Sequence, residues 1–131
     1  MQTDVPSIYK YDKYKSSVDA AVRYVEDHFS EPISLDKICK VSMVSRTYFC
    51  CLFKSYTKRT FTEYLLNKRV DKAIELLPDE TKSLTEIAGE VGFNDSANFS
   101  RTFKKAVGIS PRSYRLMCRA AAEGNKQMLS G

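Results

Sequence analysis

Residues 98–104 read NFSRTFK, and residues 48–54 read YFCCLFK. Both stretches have phenylalanine at the second and sixth positions and lysine at the seventh. Two phenylalanines four positions apart lie on one face of an α-helix. Each stretch follows a shorter segment with the same opening, SLDKI at 34–38 and SLTEI at 83–87. The chain therefore repeats a unit made of a short helix, a tight turn and a longer helix.

The repeat extends past these helices and keeps a nearly constant offset. Ser34, Leu35 and Ile38 recur 49 residues later, whereas Phe49 and Phe53 recur 50 residues later, so the second turn has one additional residue. Further pairs at the offset of 50 are Lys54 with Lys104, Thr60 with Ser110, and Tyr64 with Tyr114. An internal repeat of this form predicts a duplicated helix-turn-helix unit.

Apolar residues are spaced three and four apart throughout, without strict alternation, which predicts an all-α fold. Cap and breaker residues divide the chain into seven helices. We expect helices over about 17–29, 46–56, 61–77, 96–107 and 111–117, and two short ones that follow Ser34 and Ser83. Thr60 with Glu63, and Ser83 with Glu86, have the spacing of capping boxes.

The predicted organisation has two subdomains. We expect a flexible leader or linker over 1–15, a first helix-turn-helix subdomain over 16–60, a linker helix over 61–77, a second subdomain over 78–117 and a mobile tail over 118–131. The tail is assigned as mobile because it has few apolar residues to anchor it.

A helical wheel separates the two longer helices of the repeat into buried and exposed faces. The residues expected to face the core are Phe49, Leu52, Phe53 and Tyr56 in the first copy, and Phe99, Thr102, Phe103 and Ala106 in the second. The residues expected on the exposed face are Thr47, Cys50, Cys51 and Lys54 in the first copy, and Ala97, Asn98, Arg101, Lys104 and Lys105 in the second.

These exposed faces have the chemistry that a DNA major groove accepts. Small residues allow close approach, asparagine can pair with adenine, arginine can pair with guanine, and lysines can reach phosphates. The chain carries a net charge of +5, and neither 37–62 nor 96–122 contains an acidic residue. Two basic segments suggest two contacts with one polyanion, although charge alone leaves open a merely solvated helix face.

The second repeat resembles a known family. The motifs that carry the resemblance are IAGEVGFND at 87–95, FSRTFKK at 99–105 and GISP at 108–111, followed by Tyr114 and Arg115. Together they resemble the signature of the AraC/XylS family of bacterial transcription regulators, in its C-terminal DNA-binding domain. The resemblance covers about residues 18–117. It implies seven helices in two helix-turn-helix subdomains joined by a long linker helix.

The resemblance also implies a mechanism and a set of contacts. Two recognition helices would enter adjacent major-groove segments of a promoter and help RNA polymerase. The base contacts implied by position are Thr47, Cys50, Cys51, Ser96, Ala97, Asn98 and Arg101. Contacts to the DNA backbone are expected at Arg46, Lys54, Lys104, Lys105, Arg112 and Arg115. Family members usually carry an N-terminal sensing domain, and none is visible in this sequence. The resemblance leaves two alternatives open: a C-terminal piece of a longer protein whose sensing domain is missing here, or a small stand-alone member.

This sequence departs from the family pattern at two positions. Arginine is common where this chain has Cys51, and glycine is common where it has Lys58. The first departure removes a guanine reader from the first recognition helix. The second predicts a lysine in a left-handed turn.

Other classes of function have less support. His28 is the only histidine, and neither a glycine-rich phosphate loop nor a metal-ligand cluster is present, so we expect no catalytic residue, cofactor or metal. No apolar run is long enough to span a membrane and no signal peptide is recognisable, so we expect a protein of the bacterial cytoplasm at the nucleoid. The four cysteines form no C-x-x-C pair and are expected to be reduced thiols.

Two alternatives to a sequence-specific regulator remain open. The first is a thiol-sensitive regulator that is switched at Cys50 and Cys51. The second is a non-specific nucleic-acid-binding or adaptor module.

Overall fold

A computed structural model of the chain describes the backbone of residues 4–130 and the side chains of residues 15–124. Within these residues there are seven α-helices and no strand, which confirms the predicted all-α fold. The helices are α1 Asp4–His28, α2 Leu35–Ser42, α3 Arg46–Thr57, α4 Phe61–Leu76, α5 Leu84–Glu90, α6 Ser96–Val107 and α7 Pro111–Ser130. The chain divides into two compact units, with the boundary between Leu65 and Leu66 inside α4.

The first unit is built around the aromatic face of α3. Phe49 and Phe53 are fully buried and their ring centroids are 5.4 Å apart. Phe61 at the start of α4 meets the Phe53 ring edge-on at 5.6 Å. The remaining buried residues of this core come from α1, α2 and α4: Val18, Ala21, Val25, Ile38, Cys39 and Leu65.

The second unit repeats this arrangement around α6. Phe99 and Phe103 are fully buried, with ring centroids 5.8 Å apart. Phe93 packs on Phe99 at 5.3 Å, and Tyr114 meets Phe103 edge-on at 5.9 Å. Other buried residues of this unit are Val70, Ala73, Leu77, Ile87, Ala88, Val91 and Pro111.

Side chains cap the helices where the sequence predicts. The hydroxyls of Ser34 and Ser45 accept hydrogen bonds from backbone N–H groups in the first turns of α2 and α3. Both capping boxes form: Thr60 N donates to Glu63 Oε1 at 2.9 Å, and the same bond from Ser83 N to Glu86 Oε1 measures 3.0 Å. These bonds satisfy donors that a helix start leaves without intrahelical partners.

The two long helices of the repeat end in the same way with different residues. Lys58 caps the C-terminus of α3 at φ 66°, and Gly108 caps α6 at φ 98°. In each case the cap N–H donates to the carbonyl of the lysine four residues earlier, at 2.8 Å. The predicted left-handed turn at Lys58 is therefore confirmed. A side chain costs more than glycine in this conformation.

The first and last helices are longer than the sequence analysis expected. Helix α1 begins at Asp4, well before Ser17, and α7 continues to Ser130, past Met117. The only proline of the predicted leader, residues 1–15, is Pro6, which lies in the first turn of α1, where proline is tolerated. The tail includes Ala120 to Ala122, and alanine has the highest helix propensity.

Exchanging the two C-cap residues tests the cost of the lysine cap. We expect Lys58→Gly to raise the free energy of unfolding by roughly 1 kcal/mol, because it removes the strain of a side chain at positive φ. Gly108→Lys should lower it by a similar amount. Urea denaturation followed by circular dichroism measures both. Arg59→Gly, next to the cap and outside the positive-φ positions, is the matched control and should destabilise.

The capping boxes predict a specific acid sensitivity. Hydrogen bonds from the backbone and side chain of Thr60 lower the pKa of Glu63, and those of Ser83 lower the pKa of Glu86, relative to an ordinary value of 4.5. A lowered folded-state pKa gives stability that is present above the unfolded pKa and is lost as pH falls through the folded pKa. The urea midpoint should therefore drop between pH 5 and pH 3, and the double variant Glu63→Gln, Glu86→Gln should drop less.

Glutamine keeps the capping hydrogen bond but does not titrate, so this variant isolates the protonation effect. An equal loss of stability in the wild type and the double variant would contradict the assignment.

Candidate nucleic-acid interface

Helix α3 exposes the four side chains that the wheel predicted. Thr47, Cys50, Cys51 and Lys54 are all exposed, because Phe49 and Phe53 turn the opposite face into the core. Leu52 and Tyr56 lie half-buried at the edge of that core. The exposed face combines one hydroxyl, two thiols and one cation.

Helix α6 exposes a more polar set. The exposed residues along it include Ser96, Ala97, Asn98, Arg101, Lys104 and Lys105. Asp95 is the N-cap and accepts a hydrogen bond from the Asn98 backbone N–H at 2.6 Å. A neighbouring carboxylate therefore caps the helix, and the exposed Asn98 amide is not needed for that role.

One prediction for α6 is wrong: Ala106 is exposed rather than buried. The inward position in the last turn is taken by Val107, which lies four residues after Phe103 and is half-buried. The final turn of α6 extends beyond the core of the unit, so a small residue there meets solvent. Thr102 is half-buried, as a residue at the edge of the core face would be.

The flanking basic residues differ in how strongly the fold holds them. The Arg46 guanidinium lies 3.2 Å from the Asp36 carboxylate, and both side chains are largely exposed. An exposed ion pair of this kind contributes little stability, so Arg46 remains able to exchange Asp36 for another anion. Arg112, in the first turn of α7, is exposed.

Arg115 makes three hydrogen bonds to backbone carbonyls of its own unit. Its Nε donates to the Leu77 carbonyl at 2.8 Å, and its Nη2 donates to the carbonyls of Asp79 and Lys82 at 3.1 and 2.7 Å. These three carbonyls belong to the connection between α4 and α5. Arg115 is half-buried and holds this connection, and its contact with the DNA backbone, inferred by resemblance, stays a prediction.

An ion pair also holds the same connection. Arg119 bonds the Glu80 carboxylate through both Nε and Nη2, and its hydrogen bond lowers the pKa of that carboxyl. Arg119 is therefore paired with an acid of its own unit. Neither arginine could be assigned its partner from local sequence, because each partner lies more than thirty residues away.

The other titratable groups of interest are the histidine and the four cysteines. His28 is the last residue of α1, stacks on Tyr24 at 4.3 Å and lies 2.7 Å from the Glu31 carboxylate. The cysteines are free thiols, with Cys50 and Cys51 exposed and Cys39 buried.

Among the residues whose side chains are described, no group of three or more potential metal ligands occurs. No helix in that part of the chain has the length and apolarity of a membrane span.

The exposed faces of α3 and α6 belong to two copies of the same helix-turn-helix arrangement, and residues 38–117 match a family model described as a helix-turn-helix domain. The chain belongs to the AraC-type helix-turn-helix family. The DNA-binding domain of AdpA, solved with a target DNA, has a TM-score of 0.77 and 27% identity, covering 81% of this chain and 96% of that one.

Further regulators are also similar to this chain. A regulator from Chromobacterium violaceum with an AraC-type DNA-binding domain has a TM-score of 0.73 and 32% identity, over 79% of this chain and 93% of that one. The probable transcriptional regulator LumQ of Photobacterium leiognathi is 33% identical over 73% of this chain and 39% of its own length. The MmsAB operon regulatory protein of Pseudomonas aeruginosa is 29% identical, over 82% of this chain and 35% of its own length. The chain thus spans about two fifths or less of these curated relatives.

The role of Arg115 in the fold predicts the effect of removing it. Arg115→Ala should lower the free energy of unfolding by about 2 kcal/mol, since three carbonyls lose a charged donor. Arg115→Lys should recover only part of this, because an ammonium group cannot reproduce the guanidinium geometry. Arg112→Ala, an exposed neighbour on α7, is the control and should stay within about 0.5 kcal/mol of wild type. Equal stabilities for Arg115→Ala and Arg112→Ala in urea denaturation would contradict the structural role.

Proposed function

We propose that this protein is a sequence-specific DNA-binding transcription regulator that inserts α3 and α6 into neighbouring major-groove segments of a promoter. The observation that carries the proposal is the exposed face of α6, where Asn98 and Arg101 stand opposite the buried Phe99 and Phe103. The AdpA domain, which has the same fold, was solved bound to a target DNA.

Helix α6 is proposed to read bases by hydrogen bonds. Arginine pairs bidentately with guanine and asparagine with adenine through the major-groove edge. Ser96 and Ala97 at the start of the helix are small and exposed, so they permit close approach to the base pairs. The proposed base contacts of this half are therefore Ser96, Ala97, Asn98 and Arg101.

Helix α3 is proposed to read its segment differently. Thr47, Cys50 and Cys51 offer a methyl group, one hydroxyl and two weakly polar thiols in place of an amide and a guanidinium. Such side chains suit apolar contacts with thymine methyl groups and recognition of DNA shape. The first half-site should then contribute less to specificity than the second.

The exposed cations are proposed to position the protein on the phosphates. The candidates are Arg46, Lys54, Lys104, Lys105 and Arg112, all of which are exposed. Contacts of this type add affinity without selecting sequence and make binding fall steeply with salt. The absence of acidic residues from 37–62 and 96–122 supports this role.

The wider biology follows from the family. We propose that the protein works in the bacterial cytoplasm on nucleoid DNA, assists RNA polymerase and has no enzymatic activity. The match to only 39% of LumQ and 35% of the MmsAB regulator supports a further sensing domain as a partner of this one.

Two matched alanine variants on α6 test base reading against phosphate contact. The selected duplex carries a site obtained by selection of bound DNA from a random library. On this duplex, Arg101→Ala should lose roughly 1 to 3 kcal/mol of binding free energy and should lose sequence preference at one base position. Lys104→Ala should weaken binding to the selected and random duplexes about equally. Fluorescence anisotropy across a series of salt concentrations measures both affinities and their salt slopes.

The non-specific alternative makes a different prediction for the same titrations. A non-specific clamp or adaptor would bind selected and random duplexes with equal affinity and equal salt slope. That result would contradict the proposal. If Arg101→Ala weakened random DNA as much as the selected site, Arg101 would be a phosphate contact instead.

A further inference from the structure

An open groove in the first unit is unexplained by DNA contacts alone. It encloses about 490 Å³, within the size range of small-molecule pockets, roughly 300 to 1,000 Å³. Its lining includes Leu35 from α2, Cys50, Cys51 and Lys54 from α3, and Phe61 and Thr62 from the start of α4. Two thiols and a cation thus share one largely apolar groove.

We propose that this groove binds small apolar molecules that carry an α,β-unsaturated carbonyl group, and that Cys50 or Cys51 captures them covalently. Leu35 and Phe61 supply an apolar wall for the body of the ligand. Lys54 lines the same groove and offers a positive charge to the carbonyl oxygen, on which negative charge develops during the addition.

The reaction is a conjugate addition that needs no oxidant. The thiolate sulfur bonds to the β-carbon, the electron pair of the carbon–carbon double bond moves toward the carbonyl, and the α-carbon takes a proton from water. The thiol proton passes to solvent, so the sum of thiol and alkene is a thioether. No leaving group and no redox partner are involved.

Of the four thiols, only Cys50 and Cys51 line this groove, whereas Cys118 lies half-buried on α7 in the second unit. Burial raises the pKa of Cys39, which keeps that thiol protonated and inaccessible. In the second unit the positions equivalent to Cys50 and Cys51 are Ser100 and Arg101, which are not nucleophilic thiols. The site is therefore a property of the first copy of the repeat.

The regulatory consequence rests on the proposed function. Cys50 and Cys51 lie on the face of α3 that is proposed to enter the major groove, so an adduct there would occupy space needed by DNA. The protein would release DNA when such an electrophile accumulates. This gives the thiol alternative a defined ligand class and a defined site.

Two maleimides that differ only in their apolar substituent test the groove. N-phenylmaleimide and N-methylmaleimide have the same reacting group, and their rates with glutathione give the intrinsic ratio. Mass spectrometry of the wild type, Cys50→Ser and Cys51→Ser assigns the adducts. At Cys50 or Cys51, we expect N-phenylmaleimide to react faster than N-methylmaleimide, by a ratio that exceeds the ratio measured with glutathione by about fivefold or more. The rate with N-phenylmaleimide should also saturate at high probe concentration.

Filling the groove provides the matched control. Thr62 is exposed, lines the groove and takes no part in the Thr60–Glu63 capping box. Thr62→Trp should abolish the phenyl preference while leaving the N-methylmaleimide rate close to wild type. A phenyl preference equal to that of glutathione, or one that persists in Thr62→Trp, would overturn the proposed groove.

DNA binding forms a separate arm of the experiment. Modified wild-type protein should bind the selected duplex about tenfold or more weakly than unmodified protein, and unchanged affinity would overturn the regulatory role. If unmodified protein shows no preference for any duplex, the proposed function fails, whereas the maleimide kinetics still decide the groove.

Discussion

On α3 and α6, a pair of phenylalanines four residues apart fixes how each helix is rotated about its own axis, relative to the core of its unit. Phe49 with Phe53, and Phe99 with Phe103, are fully buried and in ring contact within their own units. Rotating either helix would take two large apolar side chains into water, at a cost of about 2 to 3 kcal/mol each. The opposite face of each helix then points outward, whatever residues it carries. Residues on that face can therefore be substituted without loss of the fold.

The two copies use that freedom differently. Their scaffolds agree in caps, aromatic packing and a left-handed C-cap, but their exposed faces differ at Cys50 and Cys51 against Ser100 and Arg101. A guanidinium reads a base edge through directed hydrogen bonds, whereas thiols offer small, polarisable surface and nucleophilic sulfur. One scaffold can therefore present a face suited to base contacts in one copy and a face with two thiols in the other.

Local signals in the sequence were enough to predict most of this fold. Serines before short apolar segments, and glutamates three residues after Thr60 and Ser83, mark helix starts, and the buried phenylalanines follow from helical spacing. The bonds of Arg115 to the α4–α5 connection were beyond such reasoning, since they join residues more than thirty positions apart. The groove beside Cys50 could not be predicted from local sequence either, because Leu35 and Thr62 come close to it only in the folded chain.

Selection of bound duplexes from a random library tests the central claim, that two recognition helices of unequal character read adjacent major-groove segments. The account predicts a site with two blocks of sequence preference, centred about 10 base pairs apart, and a stronger preference in the block under Arg101. Enrichment of a single block, or no enrichment over random DNA, would contradict it.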